Sequence, residues 1–174
     1  PNSGTSVEIY TSQRSEAKWS APVKYEITAD TLSAYGDPAV SPDGTYLYFT
    51  SDMPGGYGGK DIWRINLKER VGTLENLGDV INTAGDERFP YIRTDSVMYF
   101  SSNGHPGMGG LDIFIAKPNT NIGATGKKAW TIEHPGYPLN SQGDDFGMTF
   151  EGLLNRGFFS SNRGDARGWD HIYS

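Results

Sequence analysis

Acidic side chains at fixed positions are the residues of this sequence best suited to chemistry. Asp61, Asp112 and Asp170 each follow a glycine-rich stretch and precede an isoleucine with an aromatic neighbour. A carboxylate there could act as a general acid or base, or as a metal ligand. It could equally accept hydrogen bonds from loop amides and fix the turn that begins a strand. Because these aspartates recur once per repeat, they are expected to lie too far apart to share a reaction, and a structural role is predicted.

Two pairs of adjacent acids are the next candidates for chemistry. Asp86-Glu87 and Asp144-Asp145 occupy the same place in two copies of a linker, and calcium is the ion that such pairs would attract. A calcium loop needs several oxygen ligands at alternating positions, which neither linker supplies. We therefore predict that both pairs lie in solvated linkers and hold no metal ion.

The glycine-rich stretches themselves could cradle an anion with their backbone amides. Their spacing does not match a phosphate-binding or dinucleotide-binding loop, so turn geometry is the preferred interpretation. Residues 41–45, Ser-Pro-Asp-Gly-Thr, approach the Asp box of sialidases, which has one more residue between Asp and Gly. That element is itself a β-turn and not a catalytic group.

The three histidines give no sign of a catalytic set. His105, His134 and His171 stand at unlike positions of the repeats, and no Gly-x-Ser-x-Gly nucleophile elbow accompanies them. The chain has no cysteine, which excludes disulfides, thiolate catalysis and Cys-ligated zinc. The sequence therefore predicts a protein that is not an enzyme and that uses no cofactor.

A repeated unit positions all of these residues. Phe49, Phe100 and Phe159 each begin the pattern Phe-(Ser/Thr)-Ser-(Asp/Asn), followed by the glycine-rich loop and the Asp-Ile-aromatic segment, which is slightly altered in the third copy. These phenylalanines are 51 and 59 residues apart, and a period of this size indicates a stacked or radial array of similar units. The three phenylalanines and the three aspartates are thus predicted to be structural repeat positions.

Each repeat has the pattern of four short antiparallel strands, and no amphipathic helix of 3.6-residue period is present. Four such strands in about 50 residues make one blade of a β-propeller, so the predicted fold class is all-β, a partial propeller of about three and a quarter blades. The segments are residues 8–32 for the end of a blade, 33–82 and 83–140 for two blades, and 141–174 for an incomplete blade.

The N-terminal segment is expected to supply the third and fourth strands of a blade. Residues 8–10, Glu-Ile-Tyr, match the later Asp-Ile-aromatic segments, and residues 19–23 match a fourth strand. The prediction is then about thirteen strands, whereas propellers typically close with about four to eight blades. The chain is therefore not expected to form a closed propeller by itself.

Charge and composition exclude several partners. The net charge of −6 and the pI of about 5.0 disfavour nucleic acid and anionic lipid, both of which need a basic face. No apolar run approaches the roughly 18 residues that a membrane span requires, so direct membrane insertion is not expected. No signal peptide is visible, which leaves a mature protein, a fragment or a cytosolic chain.

One stretch resembles a known repeat. Residues 41–52, Ser-Pro-Asp-Gly-Thr-Tyr-Leu-Tyr-Phe-Thr-Ser-Asp, resemble the WD40-like Pro-Asp repeat of TolB-type propellers. The extension Gly-Gly-x-Gly-Gly-x-Asp-Ile and the linker Ile-Asn-Thr-x-Gly-Asp-Glu look like the propeller of OmpA-like periplasmic lipoproteins, some of which take part in type IX secretion. The later repeats depart from the pattern, with Thr94-Asp95 and Glu151-Gly152 in place of Pro-Asp-Gly and with His171 inserted after Asp170.

The resemblance covers residues 8–173 and implies a function. It implies a scaffold in the periplasm, associated with the outer membrane, whose partners are proteins of a larger complex. Peptidoglycan would be bound only through a separate OmpA-like domain, which is not among these residues.

The remaining candidates lie on loops. In a four-stranded meander the loops after the second and fourth strands emerge at the same end, so the glycine loops and the linkers should share one face. That face is expected to carry Tyr57, His105, Met108, Arg163, Arg167 and Trp169. Aromatic, Met and Arg side chains on loops suit a protein interface, although packing against neighbouring blades is the alternative for Tyr57 and Trp169.

Three functions remain open from the sequence. The first is a non-catalytic interaction module, the second a propeller that binds a glycan or a peptide, and the third a hydrolase of the sialidase-like or peptidase-associated kind. An enzyme should place unlike, unrepeated polar residues together, whereas this chain mainly repeats the same ones. A glycan-binding propeller should carry aromatics at equivalent loop positions, but Tyr57 is matched by Met108.

Overall fold

The computed structural model describes residues 7–28, 32–69, 73–94, 96–119 and 129–174. Throughout these ranges the regular structure consists of antiparallel β-strands, and no helix is present. The prediction of an all-β fold without long helices is therefore confirmed for this part of the chain. None of it forms a helix that is long and apolar enough to cross a membrane.

Fifteen strands are present in the described ranges. They are β1 (Tyr10–Thr11), β2 (Arg14–Ser15), β3 (Lys18–Trp19), β4 (Val23–Lys24), β5 (Tyr35–Val40), β6 (Tyr46–Ser51), β7 (Asp61–Asn66), β8 (Glu75–Asn76), β9 (Glu87–Thr94), β10 (Val97–Ser102), β11 (Asp112–Asn119), β12 (Ala129–Glu133), β13 (Asp145–Phe150), β14 (Gly157–Ser161) and β15 (His171–Tyr173).

The strands form open meanders in chain order. The first sheet is β5-β6-β7-β8, the second is β9-β10-β11-β12, and the third is β13-β14-β15. At the N-terminal end of the chain β1 pairs with β4, and the β2–β3 hairpin extends from that pair. None of these sheets closes on itself.

The second strand of the first sheet, β6, joins that sheet to both of its neighbours. Along β6 the side chains alternate, as a pleated strand requires. Leu47 and Phe49 join the apolar core shared with the N-terminal segment, while Tyr48 joins the core shared with the second sheet. A strand that is buried on both faces needs apolar residues at consecutive positions, which explains the Tyr-Leu-Tyr-Phe run.

The repeated phenylalanines all face the preceding unit. Each shares a core cluster with the isoleucine that follows the acidic residue of that unit: Phe49 with Ile9, Phe100 with Ile62, and Phe159 with Ile113. The same pair of side chains is therefore used at three successive junctions, and this is why both residues recur in the sequence.

A backbone hydrogen bond also recurs at each junction. The amide of the first residue of a sheet donates to the carbonyl just before the third strand of the preceding unit. The pairs are Tyr35 to Val7 at 2.7 Å, Glu87 to Lys60 at 2.7 Å, and Asp145 to Leu111 at 2.6 Å. Residues 8–10 therefore take the place of a third strand, as their sequence suggested.

The fourth strand of the N-terminal segment lies elsewhere than predicted. Trp19 belongs to the β2–β3 hairpin, whose base is closed by the Ser20 amide donating to the Gln13 carbonyl at 2.8 Å, and the strand that pairs with β1 is β4. The expected division of residues 8–23 into two strands is thus wrong. This hairpin accounts for the two strands beyond the predicted thirteen.

The first strand of each sheet contains a bulge that the sequence did not reveal. Asp37, Phe89 and Gly147, each two residues after the start of its strand, have positive φ angles of 46°, 53° and 68°. The strand register shifts at the same places in β5, β9 and β13. A bulge bends the strand locally, and only glycine adopts this left-handed conformation without steric cost.

Candidate functional site

The glycine-loop rim is the candidate site. We define it as the loops 52–60, 103–111 and 162–170 together with the linkers 81–87 and 139–145. It contains Asp170, the acid pairs and all six residues of the predicted interaction face, and Asp61 and Asp112 directly follow its first two loops.

Asp61 and Asp112 are buried, and their carboxylates hold the glycine loops. Asp61 accepts hydrogen bonds from the Tyr57 amide and the Asn76 side-chain amide, both at 2.7 Å to Oδ2. Asp112 accepts the amides of Met108 and Gly109 at 2.9 Å. Each residue is only 1% exposed, so neither carboxylate can reach a substrate in solution.

The third repeated aspartate, Asp170, differs from the other two in its environment. Asp170 is exposed, and His171 takes the register position opposite Ser161 that Asp112 takes opposite Ser102. Asp170 therefore does not fix its loop as Asp61 and Asp112 do, contrary to the prediction for all three aspartates, because the extra residue shifts the strand by one. Asp165 holds this loop instead, accepting the Arg167 amide at 2.7 Å.

Asp165 has a perturbed carboxyl group. The Arg167 side chain, the His171 ring and the Arg167 amide all donate hydrogen bonds to it and hold its pKa well below the usual range. The carboxylate therefore stays ionised at neutral pH and serves as a loop anchor.

Two buried asparagines connect each third strand to the next linker. Asn82 accepts the Ile62 amide at 2.8 Å and donates to the Ile62 carbonyl at 3.0 Å. Asn140 does the same with Ile113, at 2.8 and 2.9 Å. In the sequence these asparagines appear only as part of the repeated linker. Their role follows from the pairing of an amide side chain with both backbone polar groups of one residue, which the sequence does not disclose.

One acid of each pair is buried and the other is half-buried, contrary to the prediction of solvated linkers. Glu87 and Asp145 are fully buried at 0% exposure, and each accepts hydrogen bonds from both the amide and the hydroxyl of a linker residue, Thr83 or Ser141. Their neighbours Asp86 and Asp144 accept the amides of Lys60 and Leu111, both at 2.8 Å. A carboxylate is buried here because several donors converge on it.

Arg163 is part of the same network and not of a free surface. Its guanidinium pairs with Asp145 and donates to the carbonyls of Pro138 and Leu139, and it lies over the rings of Phe159 and Tyr173. Its predicted place on an open interaction face is therefore wrong.

The glycine loops are closely packed against the linkers. A Cβ atom at Gly58 would overlap the backbone of Thr83 and Ala84, and one at Gly109 would overlap the carbonyl of Gly143. Amides of both loops already donate to protein acceptors, including Gly59 to the Gly85 carbonyl at 2.9 Å. These loops accordingly bind their own linkers, in line with the turn interpretation.

The three histidines have different hydrogen-bond partners, although His105 and His134 both pack against Phe114. His105 donates from Nε2 to the Ile81 carbonyl at 2.8 Å and packs against Phe114 at 5.1 Å between ring centres. His134 accepts from Asn140 Nδ2 at 2.9 Å. His171 contacts Asp165 at 2.8 Å in an exposed loop. His105, predicted on the interaction face, is thus half-buried and engaged in the core.

Four of the six predicted surface residues are exposed. Tyr57 and Met108 lie on the first two loops, and Arg167 lies over the Trp169 ring at 4.0 Å on the third. Backbone bonds connect the loops through the linkers, since Asn103 donates to the Asp86 carbonyl at 3.3 Å and Asn162 to that of Asp144 at 3.2 Å. The three loops that carry these side chains are therefore connected to one another through the two linkers.

The described residues contain no group of three or more His, Asp or Glu side chains arranged to hold a metal ion. The fold and the rim define an all-β repeat protein in which linker side chains join successive antiparallel sheets. No protein-family model matches the chain. No curated protein matches it significantly.

Proposed function

We propose that this chain is a non-catalytic protein-interaction scaffold, a segment of a β-propeller in a periplasmic complex associated with the outer membrane and peptidoglycan. Its partners are proteins, and peptidoglycan is reached only through a separate domain. The periplasmic location and a role in type IX secretion, like that of the PorE component, rest on the resemblance of residues 41–52 and of the two linkers.

The repeated linkers carry this proposal. The groups best suited to acid–base chemistry, the carboxylates of Asp61, Asp112, Glu87 and Asp145, are buried and bonded to their own loops and linkers. Buried carboxylates that recur with equivalent hydrogen-bond partners stabilise the fold. Such an arrangement supports a rigid scaffold rather than an active site.

The propeller arrangement is supported by the equivalence of successive junctions. The same Phe–Ile core pair and the same backbone hydrogen bond occur at three consecutive junctions. Units that repeat one head-to-tail contact form a ring if the rotation between successive units adds up to a full turn. Otherwise they form an open array. Four-stranded meanders of this size are the blades of closed rings in propellers.

The exposed rim residues are the proposed contact surface. Met108 and the Arg167–Trp169 stack are large side chains of the kinds enriched at protein interfaces. Their backbone is fixed by Asp112 and Asp165, so binding would cost little loop ordering.

Site-specific photocrosslinking tests the scaffold role. A photoreactive amino acid at Met108 or Trp169 in the producing cell should yield the same crosslinked protein partner from both positions. The matched control is Leu153, which is exposed at the opposite end, in the turn between β13 and β14. Crosslinks that form equally at Leu153, or no crosslinks at the two rim positions, would refute the proposed surface.

A further inference from the structure

A groove with aromatic walls lies between the first and second sheets. It encloses a volume of 720 Å³, and it opens beside the glycine loop that carries Tyr57. The side chains that matter for its chemistry are Tyr46, Tyr57, Arg64, Glu75, Asn76 and Trp130. Its volume falls within the range of about 300–1,000 Å³ that is usual for small-ligand sites.

Three side chains of this groove, those of Tyr46, Tyr57 and Arg64, are not repeated in the next unit, although Glu75 is matched there by Glu133. The register of β10 and β11 places Val97 where the first sheet has Tyr46 and Ile115 where it has Arg64. The loop anchors place Met108 where the first unit has Tyr57. The cleft that contains Val97 and Ile115 has a volume of only 290 Å³. Side chains that build the fold recur from unit to unit, whereas Tyr46, Tyr57 and Arg64 have no match in the second unit, so the groove would be a single site that needs no aromatic residue on the equivalent loop.

Polar groups in the groove are fixed before any ligand arrives. The Arg64 guanidinium donates from Nε and Nη2 to Glu75 at 2.9 and 2.7 Å, and it lies over the Tyr46 ring at 4.7 Å. Because the two charges neutralise each other, the wall is strongly polar without a net charge. Asn76 is held by Asp61 and by the Gly78 amide.

The aromatic walls are also held in place. Tyr57 is 51% exposed, but its amide is fixed by Asp61, so the exposed ring projects from a rigid loop. Trp130 on β12 packs against the core between the first two sheets. Rigid walls reduce the entropy that binding would cost.

We propose that this groove binds a short oligosaccharide, an activity beyond the scaffold role. A pyranose ring has apolar C–H faces and a rim of hydroxyl groups. The faces of Tyr57 and Trp130 suit the C–H faces, because aromatic rings combine an apolar body with a polar tip. The paired Arg64 and Glu75 side chains suit the hydroxyls, which both donate and accept, and the lack of net charge favours a neutral ligand.

Titration of the whole chain with neutral trisaccharides tests this proposal. Cellotriose, maltotriose and N,N′,N″-triacetylchitotriose are added separately, and binding is measured by saturation-transfer NMR and calorimetry. At least one should bind with a Kd of about 1 mM or tighter. Tyr57→Ala should weaken that binding about tenfold, and Glu75→Gln should weaken it as well.

The matched control is Tyr10→Ala, because Tyr10 is a tyrosine of similar exposure, 57%, on β1 and away from the groove. It should leave the Kd unchanged, and unchanged melting temperatures show that every variant is folded. Failure of all three sugars to bind, or equal weakening by Tyr57→Ala and Tyr10→Ala, would overturn the proposal. The photocrosslinking result at Met108 and Trp169 does not depend on this outcome.

Discussion

At the scale of single residues, the contribution of an acidic side chain to this fold depends on whether it is buried. Asp112 is buried beneath a glycine loop, whereas Asp170, its apparent counterpart in sequence, is exposed. The two residues therefore allow one chemical change to be compared in two environments.

Asp112→Ala should lower the free energy of unfolding by about 1–3 kcal/mol, since the Met108 and Gly109 amides lose their acceptor. Asp170→Ala is the control and should change it by no more than about 0.5 kcal/mol, as exposed positions usually do. Denaturant unfolding measures both. Equal changes in the free energy of unfolding would show that burial of the carboxylate does not determine its contribution to stability.

Asp43 lies in the turn before β6, and its carboxyl group should make the stability of the protein depend on pH. Hydrogen bonds from Ser41, then from the Thr45 side chain and amide, lower the pKa of Asp43 from 3.8 to about 2. A depressed folded-state pKa contributes stability that is present above the unfolded value and is lost as the pH falls from 3.8 towards 2.

An NMR titration of the Asp43 carboxyl should therefore have its midpoint near pH 2. In Ser41→Ala the midpoint should move up towards 3.8, because the first hydrogen bond is removed. An unchanged midpoint in this variant would exclude Ser41 as the main cause.

At the scale of elements, the recurring feature is the bulge in the first strand of each sheet. Gly147 has a φ angle of 68°, and no atom lies within 4 Å of a Cβ built there. A side chain at this position would therefore lower stability through its backbone conformation and not through overlap with neighbouring residues.

Gly147→Ala should lower the free energy of unfolding by about 1–2 kcal/mol, the usual cost of the left-handed conformation for an L-residue. Gly147→Asn should cost less, because Asn tolerates this conformation better. Thermal or denaturant unfolding of both variants provides the measurement. A smaller loss for Ala than for Asn would contradict the assigned backbone geometry.

Much of the element order could be predicted from the sequence, because the Phe and Ile positions supply the core contacts of each junction and Asp61 and Asp112 anchor the first two glycine loops. The β2–β3 hairpin was missed because its two-residue strands are exposed and carry no apolar pattern. Burial of Glu87 was missed because it depends on Thr83 and on Ser102, which comes from a later strand. The bulge at Phe89 was missed because a phenylalanine gives no signal of a positive φ angle.

At the scale of the whole molecule, the third sheet has an uncovered face. Ile172 and Phe158 occupy the register positions that Ile113 and Tyr99 occupy in the second sheet. Ile113 and Tyr99 are buried by the third sheet, whereas Ile172 is 78% and Phe158 is 42% exposed. Adjacent exposed apolar side chains on a sheet favour association with another surface.

The isolated 174-residue chain should therefore self-associate, with a light-scattering mass that rises with concentration. Ile172→Lys should shift the chain towards the monomer, because a charge on that face opposes its burial. Leu153→Lys is the matched control, since Leu153 is 87% exposed but lies in a turn, and it should leave the association unchanged. A wild-type chain that stays monomeric at all concentrations would mean that the uncovered face is tolerated in water and that the third sheet needs no further surface to cover it.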